Sequence, residues 1–157
     1  MLNRFLRSHL ACIENQWGHV DLITVVPSHP SSRDGWDHMK HLVDRVRQWP
    51  VPERWVLDLL QKTSPSDANT RRGQPSEDLF LTRPDIGLAG RRVLLLDDTY
   101  TTGATLRSAG LAVIAAGGRP VAVTIGRQVK NDDFGSHIVT DAEAQRSLFH
   151  PHLCALH

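Results

Sequence analysis

The sequence predicts an α/β fold with an open, mainly parallel twisted sheet and flanking helices, in a single domain that spans residues 1–157. One observation is the order of segments: short β-branched runs typical of buried strands alternate with amphipathic runs at helical spacing. The other is composition. A chain of 157 residues, 40% hydrophobic and 22% charged, suffices for one globular core and not for two ordinary domains.

The first half of the chain begins with a helix and a strand. Residues 2–16 carry apolar side chains at near-helical spacing, and the β-branched run over residues 20–27 stops at a proline, as buried strands often do. Residues 36–49 have the periodicity of an amphipathic helix that ends before Pro50. Residues 53–63 fit either a buried strand or a short helix, and both alternatives stay open.

The second half contains the most regular elements. A long polar loop over residues 64–78 comes first, with two prolines and a glycine, and a loop of this length is uncommon in a small domain unless it has a function. The elements predicted after it are a short strand at 79–83, a strand at 90–98, a helix at 102–118 closed by glycines, a strand at 119–129 and a terminal helix at 140–150.

Charge and cysteine content limit the function classes. The formal net charge of +1 argues against bulk nucleic-acid binding, and no basic stripe interleaved with aromatic residues is present. Cys12 and Cys154 lie at opposite ends of the chain, in no metal-binding spacing, which favours a reduced, cytoplasmic protein. No segment approaches the ~18 consecutive apolar residues of a membrane helix.

The stretch VLLLDDTYTTGATL, residues 93–106, carries the functional signal. Apolar residues 93–96 predict a buried strand, so Asp97 and Asp98 fall at its carboxyl end, where ligands bind in parallel α/β sheets. The amides at the start of the next helix suit a phosphate, while the two carboxylates suit sugar hydroxyls or a magnesium ion. These are the parts that a ribose 5-phosphate needs. The predicted phosphate-binding residues are Thr101, Thr102, Gly103, Ala104 and Thr105.

Other nucleotide motifs are missing from the sequence. There is no G-x-x-x-x-G-K-S/T for a P-loop and no G-x-G-x-x-G for a dinucleotide site. The alternative is a purely structural role, in which Asp97 and Asp98 only end a strand or cap a helix.

VLLLDDTYTTGAT resembles the motif that binds 5-phosphoribosyl 1-diphosphate (PRPP) in type I phosphoribosyltransferases. The helix and strand that follow, and VVPSHPSSRDGWDHMKHLV upstream, are similar to the ComF-like, competence-associated subgroup. The likeness covers roughly residues 20–130. Two departures stand out: the chain lacks the cysteine-rich, zinc-binding start of many ComF-like proteins, and residues 33–37 read R-D-G-W-D where that subgroup has R-G-F-N.

The resemblance implies a phosphoribosyltransferase that displaces pyrophosphate from C1 of PRPP with inversion. Magnesium would be the cofactor, held by Asp97 and Asp98 directly or through water, and both acids would be catalytic. The family core would span about residues 20–130. A small variable hood, built from residues 1–18, from 130–157 or from both, would recognise the acceptor, which the sequence does not identify.

The resemblance also implies a site for the pyrophosphate. Ser28, His29 and Arg33 would lie on the pyrophosphate loop, although a structural role of His29 before Pro30 is an equal alternative. Arg71 and Arg72 would be catalytic residues on a lid formed by the 64–78 loop, and solvated surface charge is the alternative for them. Lys62 is a weaker candidate, because a lysine at the end of an apolar run usually marks a surface boundary.

Two classes of function therefore stay open. The first is a magnesium-dependent enzyme that uses PRPP and a nitrogenous acceptor. The second is a regulatory or accessory protein that binds PRPP or a nucleotide without efficient chemistry. A homodimer is compatible with both, and neither needs a membrane or a nucleic acid as partner.

Overall fold

The structure, a computed structural model, describes residues 2–28, 39, 43, 49–63 and 73–127. Within this part of the chain, the elements in order are helix α1 (Leu2–Trp17), strand β1 (Leu22–Val25), a 3-10 turn (Pro52–Arg54), strands β2 (Leu60–Lys62), β3 (Phe80–Thr82) and β4 (Arg92–Tyr100), helix α2 (Ala104–Ala115) and strand β5 (Arg119–Arg127).

A three-stranded parallel sheet in the order β1-β4-β5 forms the centre of the fold. In the register, Leu22 of β1 lies opposite Val93 of β4, and Arg92 lies opposite Arg119 of β5. Parallel neighbours require crossover connections, and α2 supplies the one between β4 and β5. The α/β class and the parallel sheet are thus confirmed.

The two faces of this sheet pack against different helices because side chains alternate along each strand. Val93 and Leu95 point to the α2 side, where they join Ala109 and Val113 in one buried cluster. The intervening residues of β4 belong to a second cluster, formed with α1. That cluster includes Leu6, Leu10, Ile13, Ile23, Leu94 and Leu96. The spacing of these residues explains why α1 forms where residues 2–16 predict it.

The ambiguous segment 53–63 contains no long element. Trp55 makes an isolated parallel bridge to Ile23 beside β1, and the segment ends in the short strand β2. That strand pairs antiparallel with β3, with Lys62 opposite Phe80. β3 confirms the strand predicted at 79–83, but β2 and β3 form a separate two-stranded sheet. The 64–78 loop therefore connects the two strands of a hairpin.

Helix α2 is shorter than the 102–118 prediction. Gly103 precedes it with a positive φ of 74°. The N–H of Gly117, whose φ is 82°, donates to the carbonyl of Ile114 at 2.8 Å after the helix ends. Left-handed glycines bound the helix at both ends, as the closing glycines predict at the carboxyl end.

Several predictions fall outside the described residues. Met39 and Val43 are helical and buried, but the rest of the helix predicted at 36–49 lies outside, apart from Trp49. The terminal helix at 140–150 and the hood segment 130–157 lie outside entirely. Among the described residues, no helix is long and apolar enough to cross a membrane.

Candidate functional site

A cleft forms where β1 ends and β4 continues. The N–H of Val26 still donates to the carbonyl of Leu96 at 2.8 Å, but the next residue, Pro27, has no N–H to extend the pairing. β4 runs on to Tyr100 because β5 pairs with it on the other side. No described strand pairs with β4 beyond Leu96 on the β1 side. This edge is open.

The two acids lie on that open edge. The sequence predicts Asp97 and Asp98 at the carboxyl end of their strand. β4 runs two residues further, to Tyr100, and the acids lie past the end of β1. They line a cleft of about 230 Å³ that also includes the carboxyl end of β1, the end of β2 and the start of α2. The lining residues are Pro27, Ser28, Lys62, Asp97, Asp98, Thr99, Thr101, Gly103, Thr105 and Leu106.

The side chain of Asp97 points into the protein, and this burial raises its pKa. It continues the alternation of Val93 and Leu95, on the face that packs against α2, and is largely withdrawn from water. Burial, with the neighbouring charge of Asp98 as the second cause, raises the pKa of Asp97 to about 6. The N–H of Asp98, which donates to Asp97 Oδ1 at 3.0 Å, and the charge of Lys62 act in the opposite direction. When both acids are ionised, their like charges repel each other, and a cation or hydroxyl donors bound between them would relieve that repulsion.

Lys62, which the sequence analysis ranks as a weaker candidate at a surface boundary, is buried in the structure and lines the cleft. Its side chain is only 6% exposed, and Nζ donates to the carbonyl of Ser28 at 3.0 Å. The ammonium also lies 5.9 Å from the centre of the Phe80 ring, within reach of a cation–π interaction. A signal was present in the sequence: with residues 60–62 as a strand, alternation places Lys62 on the same buried face as Leu60.

The loop after β4 requires glycine at position 103 because of a contact within the protein. A Cβ on Gly103 would lie 2.5 Å from ring atoms of Tyr100, and the φ of 74° also disfavours any other residue. Glycine in a phosphate-binding loop can also let a ligand approach the backbone closely. In the structure, Tyr100 fills the space on the side where the Cβ would project.

The other loop residues divide into two groups. Thr101, Gly103 and Thr105 line the cleft. The buried Ala104 does not line it, and neither does the exposed Thr102, whose Oγ1 accepts from the N–H of Ala104 at 3.4 Å.

The carboxyl-terminal part of the 64–78 loop is held against this region. Arg107 of α2 donates to the carbonyl of Gly73, and Ser108 Oγ accepts from the N–H of Ser76 at 2.8 Å. A Cβ on Gly73 would lie 3.2 Å from the side chain of Thr102. These contacts bring residues 73–76 next to the predicted phosphate loop.

Four predicted site residues cannot be compared with the cleft. His29, Arg33, Arg71 and Arg72 lie outside the described residues. Of the predicted pyrophosphate-binding residues, Ser28 alone is described, and it lines the cleft together with the two acids.

The described residues of the cleft offer donors for magnesium but not a protein-only metal cage. No group of three or more histidine, cysteine, aspartate or glutamate side chains within the described ranges could hold a metal ion. Mg²⁺ commonly uses one or two carboxylates and completes its shell with water and ligand phosphates. Asp97 and Asp98 fit that mode, in which binding requires a phosphorylated ligand.

The comparisons with known proteins add no family to this description. No family model, no curated protein and no solved structure matches the chain.

Proposed function

We propose that the protein is a phosphoribosyltransferase that binds PRPP with magnesium and transfers the phosphoribosyl group to a nitrogenous acceptor. The observation that carries the proposal is the cleft at the open edge of β4, which combines two carboxylates with the loop at the start of α2. The family-like motif of residues 93–105 supplies the same parts in the same order. The proposal includes the type I phosphoribosyltransferase fold around the three-stranded sheet.

In the proposed binding mode, the 5′-phosphate lies against Thr101, Gly103 and Thr105. The first amides of α2 have no acceptor within the helix, and its dipole favours an anion there. The ribose hydroxyls face Asp97 and Asp98, whose carboxylates accept hydrogen bonds from them. The pyrophosphate on C1 extends toward Ser28. All of these residues line the same cleft.

The proposed reaction forms a bond from the acceptor nitrogen to C1 while the bond from C1 to the pyrophosphate oxygen breaks. The electron pair leaves with pyrophosphate, and the nitrogen releases its proton to solvent. Negative charge thus grows on the leaving group, and an oxocarbenium-like positive charge develops on the ribose. The carboxylates of Asp97 and Asp98 stabilise the positive charge on the ribose side. Magnesium, when bound, would neutralise charge on the pyrophosphate.

Calorimetric titration with PRPP and magnesium tests binding, and a pyrophosphate-release screen over bases and amines tests catalysis. Binding with release of pyrophosphate by at least one acceptor supports the enzyme. Binding without release across the screen supports the alternative, a regulatory protein that binds PRPP or a nucleotide. If neither PRPP nor a nucleoside 5′-monophosphate binds, the proposal is wrong.

The acids provide a sharper test of the binding mode. The double variant Asp97→Asn, Asp98→Asn should bind PRPP at least 10-fold more weakly, since charged hydrogen bonds contribute about 1.5–3 kcal/mol each. Inorganic phosphate does not reach the acids in this mode, so its affinity should change little. Titration of both ligands into both proteins measures the difference. An equal loss for the two ligands would show a structural role for the acids.

A further inference from the structure

Ser108 of α2 connects the loop before β3 to the first turn of the helix. Its side chain is fully buried. The hydroxyl accepts from the N–H of Ser76 at 2.8 Å and donates to the carbonyl of Ala104, one turn earlier in α2, also at 2.8 Å. A hydroxyl accepts and donates at the same time. The two hydrogen bonds therefore form a continuous chain from Ser76 to the start of α2.

This chain ends on the peptide group that joins Ala104 to Thr105. In a planar trans peptide, the carbonyl and the N–H point in opposite directions. Because the carbonyl of Ala104 points along α2 toward Ser108, the N–H of Thr105 points toward the start of the helix. Hydrogen bonding within α2 begins with the N–H of Arg107, which donates to the carbonyl of Gly103 at 2.8 Å. The N–H of Thr105 precedes that bond, so it belongs to the amides that suit an anion at a helix start.

We propose that Ser108 is a positioning residue for the 5′-phosphate, which orients the N–H of Thr105 toward the phosphate and couples it to residues 73–76. This inference rests on the proposed function. Thr105 lines the cleft and would contact the ligand, whereas Ser108 acts through it.

Polarisation along the chain gives the first physical reason. The N–H of Ser76 makes the hydroxyl of Ser108 a better donor, and a stronger bond to the carbonyl of Ala104 makes the N–H of Thr105 more positive. Burial of Ser108 strengthens this effect, because the local dielectric constant is low and little water competes for the hydroxyl. The N–H of Thr105 is thus a better donor to a phosphate oxygen than the same amide would be in an isolated helix.

A second contact holds the same segment in place. Arg107 donates to the carbonyl of Gly73, and a Cβ on Gly73 would lie 3.2 Å from the side chain of Thr102. Residues 73–76 are therefore attached to α2 at two points and reach the loop that precedes it. Coupling between two sites is reciprocal. A phosphate bound to the N–H of Thr105 should in turn strengthen the hydrogen bond from Ser76.

A merely structural Ser108 would only hold residues 73–76 against α2. Its loss would lower the free energy of unfolding and leave the affinity for a phosphorylated ligand unchanged. A positioning Ser108 affects that affinity, and the ligand then slows the exchange of the Ser76 N–H with solvent. Affinity and hydrogen exchange together separate the two roles.

The experiment titrates PRPP with magnesium into the full chain by calorimetry and follows the exchange of the Ser76 N–H by nuclear magnetic resonance. Ser108→Ala removes the hydroxyl that links the two hydrogen bonds, at a helical position that alanine favours. Ser76→Pro is a second variant, which lacks the N–H at the other end of the chain and leaves α2 unaltered. Ser8→Ala is the matched control, because it makes the same chemical change at an exposed position of α1.

We expect Ser108→Ala to bind PRPP about 2- to 5-fold more weakly. Ser76→Pro should lose affinity in the same direction, and Ser8→Ala should bind PRPP as the unaltered protein does. Exchange of the Ser76 N–H should slow by a similar factor when PRPP binds to the unaltered protein, and this slowing should disappear in Ser108→Ala.

Two results would overturn the role of Ser108 and leave the proposed function standing. One is an unchanged affinity for PRPP in Ser108→Ala or Ser76→Pro. The other is an exchange rate of the Ser76 N–H that PRPP does not alter in the unaltered protein. If the unaltered protein does not bind PRPP, the proposed function itself fails.

Discussion

The raised pKa of Asp97 predicts that this acid destabilises the folded protein at neutral pH. A pKa of about 6, against an ordinary 3.8, means that the folded state holds the proton over a pH range where the unfolded state has lost it. The folded state therefore loses stability as pH rises from about 4 to about 6. Above that window the loss is complete, and below it the acid is protonated in both states.

The size of the effect follows from the shift. About two pKa units at 1.36 kcal/mol per unit correspond to ~3 kcal/mol as an upper limit. Asp97→Asn removes the charge and keeps a side-chain oxygen that accepts from the N–H of Asp98. At pH 7 we expect the variant to have a free energy of unfolding about 1–3 kcal/mol higher than the unaltered protein. The difference should shrink toward zero at pH 4.

Urea unfolding at pH 4, 5, 6, 7 and 8 measures this difference. Fluorescence of Trp49 and Trp55 should follow unfolding, because their rings pack 4.7 Å apart beside the second cluster. Glu77→Gln makes the same chemical change at an exposed side chain and corrects for the altered net charge. A difference that stays constant from pH 4 to pH 8, or a variant less stable at pH 7, would refute the reasoning.

Two further predictions concern residues whose backbone lies in the left-handed region. Gly103→Ala should cost about 1 kcal/mol more than Gly90→Ala in urea unfolding. Both glycines have a φ of 74°, but only at Gly103 would the new Cβ meet the ring of Tyr100; equal costs would show that the ring moves away freely. Val51 has a φ of 47° and a ψ of 59°, so Val51→Gly should be more stable than Val51→Ala by about 1 kcal/mol, the reverse of the usual order. If Val51→Ala is instead the more stable of the two variants, Val51 is not held in the left-handed region.

The cleft with its two carboxylates shows which features of the protein the sequence alone predicts. The apolar run before Asp97 and the glycine-bounded helix after it are local patterns, and each predicts its own element. The α/β class follows from the order of such elements. The expectation that two acids lie at the carboxyl end of a parallel strand follows from the same reasoning. All of these depend on residues that are neighbours in the chain.

Other features depend on residues far apart in the chain, and only the tertiary structure decided them. β4 continues past its acids because β5 pairs with it, while Pro27 ends the partner on the other side. Lys62 lines the cleft because the hairpin brings it to Ser28, 34 positions earlier in the chain. Gly103 is required because Tyr100 folds back onto it. Periodicity reports which face of an element is buried, but which partner buries it depends on the packing of the whole chain.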